Sequence, residues 1–183
     1  SDHQGVVAVA TTPRRQGFGE RDLTTFAFPD DPVVVVLDGI EDPQNLGAAV
    51  RAAEAAGASM VVSRTRRSAA VTEAAVRASS GALLHLPHAR VANIPRALDR
   101  LRDRGFTVIG LDGAAGTSVF DAPAPDGPLA LVLGSEGRGM SRLAKERCDG
   151  LVALPMRGRV GSLNAAAALA AVLWSYVLPR KER

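Results

Sequence analysis

The sequence predicts an α/β fold, a mostly parallel sheet flanked by helices, and three observations carry that reading. Two uninterrupted apolar runs of strand length, residues 33–37 and 129–133, have the composition of strands buried on both faces. Between strand-like runs lie segments with helical caps and spacing, the alternation that builds βαβ units. Glycines stand just beyond three strand ends, at Asp112-Gly113, in residues 134–139 and in residues 156–161. In open parallel sheets, ligands bind beyond the carboxyl ends of strands.

The elements follow in order. Residues 1–32 mix Gly, Pro, Arg and short apolar pieces. They read as a linker with Arg14, Arg15 and Arg21 in it, preceded by a short strand at 3–9. The β-branched run 33–37 is a strand closed by Asp38-Gly39. Asp42-Pro43 is an N-cap with proline at the first helical position, opening a helix through Ala56 with Gly57 beyond it. Residues 60–62 are the next strand, 64–67 a basic loop, 71–79 a helix closed near Gly81, and 83–86 a short strand. Asn93 caps an amphipathic helix over 94–104, ended by Gly105. A strand at 106–111, a Pro- and Asp-rich loop at 117–127, the apolar strand 129–133, a short helix at 141–147 and a strand at 151–154 complete the alternation. The final helix, from Ala165 to Leu178, is apolar almost all round, so it belongs in a core or against a partner. Ser162-Leu163-Asn164 stands at its mouth. Polar groups there need bonds, either to a ligand or to the helix end, where Ser162 fits a simple N-cap.

Length and composition bound the rest. The chain of 183 residues suffices for one α/β domain whose core needs neither disulfides nor a metal. No apolar run is long enough, and free enough of Arg, Gly and Pro, to cross a bilayer. The first residues, Ser1-Asp2-His3-Gln4, show no secretion signal. The single cysteine, Cys148, has no partner for an internal disulfide and reads as a small half-buried hydrophobe. A cytoplasmic protein is expected. The formal net charge is +3, and Lys145 and Lys181 are the only lysines. Arginine suits bidentate phosphate contact and equally reflects genome composition, so charge permits an RNA partner without requiring one. His3, His85 and His88 are scattered without metal-ligand spacing, and no metal is expected.

The glycine loops exclude two common ligand chemistries. Gly134, Gly137 and Gly139 do not have the Gly-x-Gly-x-x-Gly spacing of dinucleotide binding, and no Walker lysine is present. Glu136 would repel a phosphate, so it suits a cationic or polar ligand, or pins the loop's own backbone. Asn45 and Arg51 lie six apart on the first long helix and share no tight stripe. Arg51 is either a solvated charge paired with Glu54 or a functional group in an Ala-rich helix.

Three segments together resemble a known family. Asp42-Pro-Gln-Asn45-Leu-Gly-Ala-Ala-Val-Arg51, Leu133-Gly-Ser-Glu136-Gly-Arg-Gly-Met140, and Leu154-Pro-Met156 through Ser162-Leu-Asn164 are similar, in order, to the three motifs of the SpoU (TrmH) family. These are RNA ribose 2′-O-methyltransferases of the SPOUT superfamily. The closest look is to those that methylate a guanosine of 23S ribosomal RNA, with transfer-RNA methylation as the alternative target. A non-catalytic RNA-binding module that retains the fold is the alternative of a different class. The resemblance implies a C-terminal trefoil knot, a rare departure from ordinary chain connection, with S-adenosyl-L-methionine bound at the knot. It implies cofactor contacts at Leu111, Gly113, Gly134, Glu136, Leu154, Met156, Ser162 and Leu163. Catalysis or RNA binding is implied for Asn45, Arg51, Glu136, Ser162 and Asn164. It further implies a homodimer packed through the knot region, with Arg51 reaching the partner's site. Residues 33–183 would then be the catalytic domain, and 1–32 the linker from a separate N-terminal substrate-binding domain. The sequence departs from the third motif after Asn164, where Ala165-Ala166-Ala167-Ala168 replaces the usual Val-Ser-Val-Ala.

Overall fold

Six parallel strands make one sheet in the order β3-β2-β1-β5-β4-β6. The computed structural model describes residues 18–181. Its strands are β1 (Val33–Asp38), β2 (Met60–Arg64), β3 (His88–Val91), β4 (Thr107–Leu111), β5 (Leu129–Gly134) and β6 (Gly150–Val152). The helices are α1 (Asp22–Thr25), α2 (Pro43–Ala55), α3 (Glu73–Ala78), α4 (Ala82–His85), α5 (Ile94–Arg102), α6 (Arg142–Glu146) and α7 (Ala165–Lys181). The expected α/β class with a mostly parallel sheet is present, and the sheet is parallel throughout.

The central strands β1 and β5 are buried along their whole length, as uninterrupted apolar runs demand. Alternate residues of β1 face two cores. Val33, Val35 and Leu37 pack with α2 and α7, while Val34 and Val36 pack with α5 and the residues before β1. On α7, Leu169, Val172 and Leu173 are completely buried, each contributing about 2 kcal/mol of apolar transfer. Its other side carries Ala167 and Trp174, both exposed in the single chain. The all-round apolar helix is thus half in the core and half open.

Local signals placed most helix ends. Asp42 accepts the Gln44 and Asn45 backbone N–H groups at 3.2 Å each. Thr72, Asn93 and Ser141 cap α3, α5 and α6 in the same way. Gly57, Gly81 and Gly105 adopt positive φ where those chain reversals require it.

Three expectations change. Residues 83–86 are not a strand: Gly81 opens a helical turn, and Ser79 Oγ accepts the Leu83 N–H at 3.2 Å, giving α4. The strand falls instead at β3, whose His-Ala-Arg-Val lacks an apolar run because it lies at the sheet edge beyond β2. Residues 18–28 do not behave as a flexible linker. Leu23 is completely buried, Phe18, Phe26, Phe28 and Phe106 form a chain of edge-to-face rings, and the Phe18 carbonyl accepts the Arg90 N–H at 2.8 Å. Finally, the cap of α7 is Asn164 and not Ser162, since Asn164 Oδ1 accepts the N–H groups of Ala166 at 3.0 Å and Ala167 at 3.3 Å. The strand expected at 3–9 lies outside the described residues.

Candidate functional site

The carboxyl ends of β5, β4 and β6 open into one cavity of about 760 Å³, a size suited to a cofactor-sized ligand. Its walls are the three glycine-bearing loops. Leu111 and Gly113 come from the loop after β4, Gly134 and Glu136 from the loop after β5, and Leu154, Met156, Ser162, Leu163 and Asn164 from the segment after β6. Every residue that the motif resemblance assigns to cofactor contact lines this space.

The loop after β5 is a tight reversal. Ser135 and Gly139 exchange backbone hydrogen bonds at 3.1 and 2.8 Å, and Gly137 and Gly139 sit at φ 76° and 66°. A Cβ on Gly134 would overlap the backbone of Gly139 and Met140, so only glycine lets the loop fold back on its own strand. Buried Asp38, at the end of β1, holds the far end of this loop by accepting the Ser141 N–H at 2.8 Å, while Arg64 Nε pairs with its other oxygen at 3.0 Å.

Glu136 has the pinning role, directed across the site and not within its own loop. Its Oε1 accepts Asn164 Nδ2 at 2.6 Å and the Ala165 N–H at 3.1 Å. A carboxylate at the start of a helix also meets the positive end of the helix dipole. Asn164 Nδ2 in turn donates to Asn45 Oδ1 at 2.8 Å. One residue from each motif thus meets in a single polar chain at the cavity mouth. The alanines after Asn164 leave this chain intact, because Ala165 contributes through its backbone and Ala166 is buried. Ser162 is exposed at the cavity wall.

Arg51 stands apart. It is exposed on α2, forms no ion pair with Glu54 or any other described residue, and does not line its own chain's cavity. Among the cavity residues without a site role in the sequence reading are Asp112 and Lys145. Asp112, at the end of β4, accepts the Ala114 N–H at 3.1 Å and pairs with Lys145 of α6. The Lys145 hydrogen bond, with help from the Ala114 N–H, holds the Asp112 carboxyl below the usual carboxylate range. The signal for Asp112 was present, an acid at a strand's carboxyl end before glycine, but it reads equally as a turn. Lys145 carried none. Cys148 is half-buried, and burial, with Asp149 nearby, pushes its thiol up to about 12. It takes no part in the cavity. Among the described residues no cluster could hold a metal ion, and no helix is long and apolar enough to cross a membrane.

Comparison with known proteins converges on one family. The model described as "SpoU rRNA Methylase family" matches residues 32–174. The chain is 44% identical over 181 residues to the 23S rRNA (guanosine-2′-O-)-methyltransferase RlmB of Burkholderia sp, covering 99% of this chain and 72% of that protein. It is 43% identical over 181 residues to YacO of Bacillus subtilis (strain 168), whose name assigns it provisionally to the TrmH family tRNA/rRNA methyltransferases, covering 98% of this chain and 71% of that one. Among solved structures, the SpoU methyltransferase AviRb of Streptomyces viridochromogenes, in complex with the cofactor AdoMet, superposes with a TM-score of 0.80 at 32% identity. That match covers 88% of this chain and 66% of AviRb. With its three motifs meeting at one cavity and a family model spanning most of its length, this chain belongs to the SpoU rRNA methylase family.

Proposed function

We propose that the chain transfers a methyl group from S-adenosylmethionine to a ribose 2′-hydroxyl of 23S ribosomal RNA, at a guanosine. The observation that carries this reading is the Asn45–Asn164–Glu136 chain at the mouth of a cavity built from three glycine loops. The donor set fits S-adenosylmethionine. Leu133, Leu154, Met156 and Leu163 offer apolar walls, close-packed loop backbone offers amides and carbonyls, and Asp112 offers a carboxylate. When bound, the cofactor supplies a methyl group already activated on a sulfonium. The protein's task is therefore to place and activate a sugar oxygen.

Glu136 and Asn45 fix the Asn164 amide, and with it the start of α7, so that the reacting oxygen meets a rigid wall. Ser162 presents a hydroxyl to the ligand. Arg51 presents a planar guanidinium whose donors match phosphate geometry. It clamps an RNA phosphate and polarises the 2′-hydroxyl. Arg51 is absent from its own chain's cavity, and the Ala167–Trp174 side of α7 is open. Both support a homodimer through this region in which each Arg51 serves the partner's cavity. The bridge between Ser118 and Ala153, which lays the chain leaving β6 beside the loop after β4, supports the trefoil threading. Action on ribosomal RNA supports a cytoplasmic location.

The test is to incubate the protein with methyl-labelled S-adenosylmethionine and, separately, protein-free 23S rRNA and bulk tRNA, then map the product by mass. Label in a 2′-O-methylguanosine of 23S rRNA is the expected result. Label confined to tRNA would move the target, and no label in either RNA would overturn the enzyme reading.

A further inference from the structure

The loop after β2 carries two arginines that the cofactor cavity does not use. Arg66 and Arg67 are both exposed, and neither has an ion pair or side-chain hydrogen bond among the described residues. Several arginines elsewhere are neutralised: Arg77 pairs with Glu73, Arg142 with Glu146, and Arg147 with Asp99.

The loop that holds the pair is braced on both sides. Before it, the Thr65 N–H donates to the Val91 carbonyl at 2.9 Å, and Arg90 Nη2 donates to the Thr65 carbonyl at 3.1 Å. After it, Ser68 Oγ and the Ala69 N–H both donate to the Ile40 carbonyl, at 3.1 and 2.8 Å. Between these clamps Arg67 is held at φ 54°, a left-handed conformation that a long side chain rarely adopts. Bonds on either side that preserve this conformation in an exposed arginine hold two unneutralised charges in one place.

That place is at the same carboxyl end of the sheet as the cavity. Strand β2 is two positions from β5 in the sheet, a lateral distance of about 10 Å. The Arg138–Glu41 ion pair, at 2.7 Å, ties the cavity loop to the loop after β1 that braces Ser68. Resting on the RNA-methylation reading above, we propose that Arg66 and Arg67 bind backbone phosphates of the RNA strand flanking the methylated nucleotide. A strand entering the cavity mouth crosses the end of β1 and meets this pair next. Phosphate contact at such a site positions the substrate without reading its sequence.

The test is a salt titration of binding to a protein-free 23S rRNA transcript, comparing the wild type with R66A/R67A. Loss of two phosphate contacts lowers the slope of log K against log salt by about 1.5. The expected affinity loss is about tenfold or more, with S-adenosylmethionine binding unchanged by calorimetry. R66K/R67K should keep most of the binding, because lysine also serves phosphate as a point charge. R67G, which relaxes the backbone, should melt no lower than wild type and still bind RNA more weakly. An unchanged slope in R66A/R67A, with wild-type methylation of 23S rRNA intact, overturns this inference alone and leaves the pair facing another anion such as an acidic protein. Failure of R66K/R67K to retain binding overturns it in favour of a structural role. A wild type that neither binds nor methylates RNA overturns both this inference and the function it rests on.

Discussion

Glu136 and Asn164 are 28 residues apart in the chain, yet Glu136 Oε1 accepts Asn164 Nδ2 at 2.6 Å and the next backbone N–H at 3.1 Å. The bond fastens the glycine loop after β5 to the first turn of α7. It makes the cavity mouth a single unit instead of two opposed loops. Glu136→Ala removes the acceptor from both donors. Its expected effect is a loss of about 1 kcal/mol of stability, read from the denaturation midpoint. The loss of turnover should be larger, about 100-fold, from the misplaced start of α7. A variant with full turnover would show that the bond only caps the helix.

Two glycines separate steric from ligand requirements. A Cβ on Gly134 meets loop backbone, whereas one on Gly113 meets no protein atom within 4 Å. Gly134→Ala should lower stability by about 1–3 kcal/mol and weaken S-adenosylmethionine binding at least tenfold, or about 1.4 kcal/mol. Gly113→Ala should melt like the wild type and weaken only cofactor binding. Calorimetry with thermal melts of both variants distinguishes the two.

Asp112 makes stability depend on pH. Lys145 and the Ala114 N–H depress its carboxyl in the folded chain, so the unfolded chain binds the proton more readily. The contribution is therefore complete above the ordinary carboxylate range, about 4, and is lost as pH falls through the lower folded value. Asp112→Asn should be less stable than the wild type at neutral pH, and the gap should close on acidification below about pH 4. A gap that stays constant with pH would mean the ion pair contributes nothing measurable.

Arg51 can be tested by mixing. Arg51→Ala and Asn164→Ala chains should each be inactive alone. Dimers formed from both would contain one intact site if each Arg51 serves its partner. Random pairing then restores about one quarter of wild-type methyl transfer. No recovery after confirmed mixing would place Arg51 in its own chain's site.

The Cys148 thiol is raised to about 12 by burial and by Asp149, and its hydrogen goes to the Ala144 carbonyl at 3.3 Å. The thiolate is the reactive form. A disulfide reagent at pH 8 should leave the folded protein unmodified and titrate one thiol in denaturant. Rapid modification of the folded chain would contradict the packing of Cys148 Sγ and Met140 against Gly110, so close that a Cβ there would overlap both.

Local pattern determined much of this protein. The apolar runs at β1 and β5 read as doubly buried strands from their short length and composition. Asp42-Pro43, Asn93 and Gly105 marked helix ends through backbone chemistry that acts within a few residues. The same locality drew the three glycine loops and the motif residues, and those loops do enclose the cavity. Tertiary structure decided what depends on distant neighbours. The edge strand β3 had no apolar signature, since one side of its ladder has no strand. Residues 18–28 looked like linker because their partners come later in the chain: Phe18 meets Arg90 of β3, Phe28 meets Phe106, and α1 packs on α5. Asn164, not Ser162, caps α7 because Glu136 and Asn45 converge on its amide from far along the chain. Lys145 became a site residue only when α6 swung its ammonium onto Asp112. The chemistry of this cavity lies in those crossings, and spacing along a sequence does not measure distance across a sheet.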